Sequence, residues 1–249
     1  MAVVVTRPHP DNETTAVRLR ASGHEVLLAP MLRFEPVAFR DDPDADYDAV
    51  IVTSANALRA IKQQPVDSRL FKLPLFAVGD HTAAAAGRAG FANVISAAGD
   101  AAALRDVVLA QLWPKRSKKK PNALLYLAGA DLSRDLAGEL KADGFDVMTR
   151  TTYRMAALAS LPRDVAEAFA ENRVEAVLHY SGRSAQAFVD AARADGVEIS
   201  ALAIPQCCIS VTVASILRDA GASQVLVAAS PDENALFGAL ERALRRRMA

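Results

Sequence analysis

The 249-residue chain is 51% hydrophobic and 23% charged, a globular balance that excludes a disordered or low-complexity protein. Its 29 Lys+Arg and 29 Asp+Glu residues cancel, so no overall field draws it to nucleic acid or to a membrane surface, and an anionic ligand must be held by local groups. Only two cysteines occur, Cys207 and Cys208; being adjacent they are strained against bridging, which suits free thiols in a reducing cytoplasm.

The chain enters a predicted strand at Val3–Thr6, with no signal-like segment before it and no apolar run near the roughly 18 residues of a membrane span. A helix is expected over Asn12–Ala21 and strands over Glu25–Leu32 and Ala49–Thr53. Helix Ala55–Lys62, strand Leu75–Val78, helix Thr82–Ala89, strand Val94–Ser96 and helix Ala101–Leu112 complete the first half. The second half repeats the alternation: strand Ala123–Leu127, helix Leu132–Asp143, strand Val147–Tyr153, strand Ala176–His179 and helix Ser184–Ala194. Strand Cys207–Val211, helix Val213–Ala220, strand Val225–Ala228 and helix Glu233–Arg246 close it. Continuous Val, Ile and Leu runs without period-2 alternation predict strands buried on both faces, hence an α/β fold with parallel sheets.

The halves resemble each other. ASGHEV at Ala21–Val26 pairs with ADGFDV at Ala142–Val147, and IVTSANAL at Ile51–Leu58 with LHYSGRSAQAF at Leu178–Phe188. AVGDHTAAAAGRAG at Ala77–Gly90 pairs with ISVTVASILRDAG at Ile209–Gly221, and GDAAAL at Gly99–Leu104 with PDENAL at Pro231–Leu236. Four pairs in unbroken order point to duplication. Between the halves lies a basic run, Trp113–Pro121, too short and too poor in interleaved aromatics for a nucleic-acid patch; a solvated loop is expected.

In parallel sheets, ligands meet the carboxyl ends of the strands. The loops expected there are Thr6–Asp11, Thr53–Asn56, Gly79–Thr82, Ala128–Arg134, Tyr180–Ser184 and Ser210–Thr212, each rich in small and hydroxyl residues beside a helix start. Helix starts offer unpaired N–H groups and partial positive charge, so such loops suit anions, although Ser54, Thr82, Ser184 and Thr212 serve equally as plain helix caps. No GxGxxG, GxxxxGK[ST] or GxSxG pattern is present, and His9, His24, His81 and His179 lack metal-ligand spacing. No cofactor and no metal are expected.

Taken together, TRP after the first strand, LRFEP at Leu32–Pro36, TSANAL, AVGxxTA, the YLAG loop with Arg134 downstream, the strand running into Tyr153, YSG and the SxTxA element resemble the uroporphyrinogen-III synthase family. The likeness covers essentially the whole chain and rests on the ordered set rather than on one motif. At Ser210–Val213 the sequence has SVT where some members carry Gly-Pro-Thr, leaving Thr212 as the matching hydroxyl.

The resemblance implies two doubly wound parallel-sheet lobes with flavodoxin-like halves, joined by two linker strands: residues 1–37 with 157–249, and 38–156. It implies a hydro-lyase of tetrapyrrole (haem) biosynthesis that cyclises hydroxymethylbilane, a linear tetrapyrrole bearing eight carboxylates, with inversion of the terminal ring and loss of water. Tyr153 matches the family's candidate acid. Arg7, Ser54, Asn56, Thr82, Gly129, Arg134, Ser181, Arg183 and Thr212 are the candidate substrate-binding residues. A cytoplasmic monomer acting on a small molecule, without nucleic-acid or membrane partners, is expected. Two other readings stand beside this one: a bilobed cytosolic sensor or carrier of a small polyanion, and a sugar-phosphate enzyme using the same helix ends.

Overall fold

The computed structural model describes residues 1–39, 45–112 and 122–248, side chains only as far as 245; the basic run Trp113–Pro121 lies outside the described residues. In chain order the elements are β1 (Ala2–Val5), α1 (Asp11–Ala21), β2 (Glu25–Leu28), β3 (Leu32–Pro36), β4 (Ala49–Val52), α2 (Ala55–Ile61), β5 (Pro74–Ala77) and α3 (Asp80–Ala89). There follow β6 (Asn93–Ser96), α4 (Ala101–Leu112), β7 (Ala123–Gly129), α5 (Leu136–Ala142), β8 (Asp146–Ala157), α6 (Arg163–Ala170) and β9 (Val174–His179). The chain ends with α7 (Gly182–Ala194), α8 (Glu198–Ala203), β10 (Gln206–Cys208), α9 (Val211–Asp219), β11 (Val225–Val227) and α10 (Glu233–Met248).

Contacts divide the chain into two units, Met1–Arg33 with Ala156–Ala249, and Phe34–Met155. In the first, five strands run β11-β10-β9-β1-β2, with parallel pairings throughout. Val3–Val5 lies against Ala176–Leu178, so the first strand pairs with the C-terminal third of the chain and not with β4. In the second, the order is β3-β8-β7-β4-β5-β6. β3 runs against β8: Leu158 donates to Met31, and Val37 donates to Thr152, so one strand's numbering falls as the other's rises.

The central strands are AVVV in β1 and AVIV in β4, buried at every residue. Side chains of this kind gain about 1.5–3 kcal/mol each on full burial, which is why they take the middle of a sheet covered on both faces. Leu19, Leu178, Leu236 and Leu240 share one core. In the second unit Phe76, Leu104, Val108 and Tyr126 pack in one cluster, and Leu58, Ile61, Leu70 and Phe91 in another.

Counted by its own chain order, the first sheet reads 2-1-3-4-5, the flavodoxin arrangement; the second reads 3-2-1-4-5 with β3 added at its edge. The two are nevertheless one layout. The repeated segments place β7 where β1 stands, β8 where β2 stands, and β4, β5 and β6 where β9, β10 and β11 stand. Gly23 and Gly144, matched in that repeat, have φ of +87° and +86°, a left-handed turn that only glycine adopts freely. Each sheet therefore takes its first two strands from one half of the chain and its last three from the other.

Several expected elements shift. Glu25–Leu32 is two strands, because Pro30 has no N–H to continue the ladder. Strand Cys207–Val211 stops at Cys208, since Ser210 caps a helix that begins at Val211. The helix expected from Leu132 begins at Leu136, capped by the Asp135 carboxylate. Strand β8 continues to Ala157, and α6, α8 and a short 3-10 turn at Ser68–Lys72 were not anticipated. Among the described residues, no helix is long and apolar enough to cross a membrane, and no cluster of three metal-ligating side chains occurs.

Candidate functional site

In the second unit, strand order reverses between β4 and β7, and a crevice opens at their carboxyl ends. Its volume is about 350 Å³, and Thr53, Ser54, Tyr126, Gly129, Arg134 and Tyr153 are among its walls. Ser54 is extended and caps α2, accepting from the Asn56 N–H at 3.2 Å. The buried Tyr126 hydroxyl lies 3.0 Å from the Thr53 hydroxyl, and burial raises its pKa. Gly129 sits against the Tyr153 ring so closely that a Cβ there would stand 2.7 Å from Cζ. The Tyr153 ring also stacks with Phe34, centroids 5.9 Å apart and 22° from parallel.

The charged residues lining this crevice are two aspartates and one arginine. Asp100 precedes and caps α4; N–H bonds from Ala103 and Ala102 hold its carboxyl below the usual range. Asp131 lies nearby in the lining. Arg134 forks onto Glu139 at 2.7 and 2.9 Å, a bond that raises the guanidinium pKa. With the one arginine already matched by Glu139, the walls combine the hydroxyl residues Thr53, Ser54, Tyr126 and Tyr153 with the carboxylates of Asp100 and Asp131.

In the first unit, order reverses between β1 and β9. Arg7 follows β1, Tyr180 follows β9, and Glu233 opens α10 between them in bonding terms. The Glu233 carboxylate accepts from the Thr15 hydroxyl at 2.5 Å, the Tyr180 hydroxyl at 3.0 Å, Arg7 at 3.3 Å and, more closely, Arg18. Burial works to raise its pKa, but bonds from Thr15, Tyr180 and Arg18 outweigh this and leave it lowered. Arg7 also pairs with Asp11 at 3.1 Å and lies over the Tyr180 ring, 4.9 Å from its centroid. Ser181 caps α7, accepting from the Ser184 N–H at 3.2 Å.

A sequence profile described as uroporphyrinogen-III synthase HemD matches residues 13–238. The chain belongs to the uroporphyrinogen-III synthase family. A solved uroporphyrinogen-III synthetase from Helicobacter pylori aligns over 98% of this chain and 99% of its own, at TM-score 0.62 and 18% identity. A mutant uroporphyrinogen III synthase from Thermus thermophilus aligns over 99% and 100%, at TM-score 0.54 and 16% identity. These likenesses concern the fold. A comparison with curated protein sequences gave no match.

Within this uroporphyrinogen-III synthase family member, Ser54, Gly129, Arg134 and Tyr153 meet at one crevice. Arg7 and Ser181 stand at the reversal point of the other unit, and Arg183 and Thr212 lie exposed in the first turns of α7 and α9. Asn56 turns its amide toward the Met155 sulfur at 3.8 Å. Thr82 joins neither group: it is buried in the first turn of α3, whose cap is Gly79. His179 is a core residue, bonded to Gln206 at 2.9 Å and pushed by burial to a pKa of about 4. Burial pushes both cysteines up to about 12, which makes them inert thiols. Sequence reasoning placed Thr53 in a ligand loop but passed over Tyr126, Asp100 and Glu233. Tyr126 reads as core in ALLYLAG, and Glu233 has no local signal, its partners lying more than 50 residues away.

Proposed function

We propose that this family member closes hydroxymethylbilane to uroporphyrinogen III by fixing the open chain in one conformation, with Tyr153 as proton donor. The substrate's hydroxymethyl C–O bond breaks as the pyrrole nitrogen pushes, and the departing hydroxide takes the Tyr153 proton and leaves as water. The terminal pyrrole attacks the resulting azafulvene through its substituted carbon, forming a spiro centre. One C–C bond of that centre then breaks and a new one forms with the ring reversed; the proton lost as the ring regains aromaticity restores the phenol.

Uncatalysed closure gives the unflipped isomer, so the enzyme's task is mainly positioning, an effect that supplies several kcal/mol. Eight carboxylates meet few free cations here. Ser54, Ser181 and Thr212, with N–H groups around Gly129 and at the longer helix starts, suit that task, assisted by Arg7, Arg134 and Arg183. Residues 1–37 with 157–249, and 38–156, are taken as the two substrate-holding lobes of a cytoplasmic monomer that needs no cofactor.

The observation that carries the activity is the profile match spanning both units. Freshly prepared hydroxymethylbilane should yield chiefly isomer III. Isomer I alone, at the rate seen without protein, would instead leave a sensor or carrier that binds without turnover.

A further inference from the structure

Arg59 lies on α2, one turn beyond the Ser54 cap. Its guanidinium sits 3.7 Å from the centroid of Phe34, the same ring that stacks with Tyr153. Asn56, three residues earlier and so on the same helix face, reaches Met155, which shares a strand face with Tyr153. The helix face bearing Arg59 is thereby set beside the strand face bearing the proton donor.

Three arginines of this region have carboxylate partners: Arg134 has Glu139, Arg105 has Asp143 and Arg154 has Glu35. Arg59 is half-buried and, among the described residues, has no hydrogen bond or ion pair, only the Phe34 ring. Burial lowers its pKa, the mark of a charge that has lost water without gaining a counter-ion. A charge kept partly dry and unpaired costs stability, and a guanidinium engaged through its face with a ring keeps its N–H edge donors for another partner.

We propose that Arg59, held over the Phe34 ring that stacks with Tyr153, is a further substrate-binding residue that takes one acetate or propionate carboxylate of the tetrapyrrole in a bidentate pair. The assignment rests on the reading of this crevice as the site of hydroxymethylbilane closure. Because the pair forms in ground state and transition state alike, its loss weakens binding without slowing the bound complex.

The test is Arg59→Met, which keeps the apolar stem, compared with Arg59→Lys and Phe34→Leu. Arg59→Met should raise KM for hydroxymethylbilane about 10- to 100-fold with kcat unchanged, the size of a charged hydrogen-bonded contact. Its melting temperature without ligand should equal or exceed the wild type's, since an uncompensated charge has gone. Arg59→Lys should restore part of the affinity, and Phe34→Leu should weaken it with the guanidinium still present. Uroporphyrinogen III should raise the melting temperature of Arg59→Met less than that of the wild type. Unchanged KM, or a variant that loses stability along with kcat, makes Arg59 a packing residue and overturns the proposal. Wild-type protein assayed in parallel separates the two levels: no isomer III from the wild type defeats the reading of the site, whereas normal wild-type turnover with normal Arg59→Met binding defeats only this assignment.

Discussion

At the reversal point of the second unit's sheet, Ala101 opens α4 and lines a crevice of about 350 Å³. At the matching place in the first unit, Glu233 opens α10, and its carboxylate gathers Thr15, Arg18, Arg7 and Tyr180. GDAAAL and PDENAL align these two residues, and the leucines that end both segments, Leu104 and Leu236, are equally buried. One scaffold thus carries two finishes. Both helix starts are capped by an aspartate, Asp100 and Asp232. Where the next residue is alanine, the hydroxyl residues Thr53, Ser54 and Tyr153 line an opening; where it is glutamate, the protein's own carboxylate takes the neighbouring side-chain donors.

The change expected to cost most is Tyr153→Phe, which removes the phenol proton and keeps the ring against Phe34 and Gly129. General acid help is worth about 10²–10⁴-fold, so the rate should fall by that order. As the variant is diluted, its products should shift toward isomer I, because slow turnover lets substrate close unaided; wild-type rate and isomer purity would make Tyr153 a packing aromatic.

Ala101→Glu imposes the first unit's finish on the second. A carboxylate beside Asp100 repels those of the substrate, and kcat/KM should drop about 10- to 100-fold, or about 1.4–2.7 kcal/mol. Steady-state kinetics showing no change would mean that substrate does not approach the start of α4.

The reciprocal change, Glu233→Ala, should cost about 2 kcal/mol in denaturant unfolding by taking their shared acceptor from Thr15 and Tyr180 and leaving Arg7 with Asp11 and Arg18 with Asn234 alone. The pH dependence has a definite sign. The folded carboxyl's pKa lies below its ordinary value of 4.5, so its stabilisation is present above about pH 4.5 and is lost as pH falls through the folded value. Glu233→Gln removes that component, and its unfolding midpoint should decline less on acidification than the wild type's.

Smallest are the paired caps. Ser54→Ala and Ser181→Ala should each lose about 1 kcal/mol of stability by thermal or chemical unfolding. Ser54→Ala, changing a wall of the open crevice, should also lower kcat/KM by about fivefold, the worth of one hydrogen bond.

The sequence made the strand–helix rhythm legible because β1, β4 and β7 are uninterrupted apolar runs and α4 has its predicted bounds, Ala101–Leu112. The crevice residues Ser54 and Gly129 were legible too, since one caps a helix and the other ends a strand; Tyr153, inside β8, was legible only through the family resemblance. Strand neighbours were harder to read. AVVV and ALLY are interchangeable in apolar character, so nothing local tells β1 to choose β9 over β4; the matched repeats supply that choice only when the exchange of strand pairs is recognised. Thr82 misled because a hydroxyl near a helix start suggests a cap, yet the extended Gly79 takes that position and turns Thr82 inward. Glu233 escaped notice for a different reason: its partners Thr15 and Arg18 are 218 and 215 positions away.

That exchange of strand pairs also sets a timetable for synthesis. Thr6 bonds to Leu178, 172 positions later. At about 5–20 residues per second, β1 waits roughly 10–35 s for its central neighbour. During that interval β4 to β8 have all emerged, so the sheet beside Tyr153 is complete while AVVV still has a bare edge, the kind of strand that invites pairing with another chain. The nascent protein therefore carries a finished second unit and an aggregation-prone leading strand, protected only once β9 arrives.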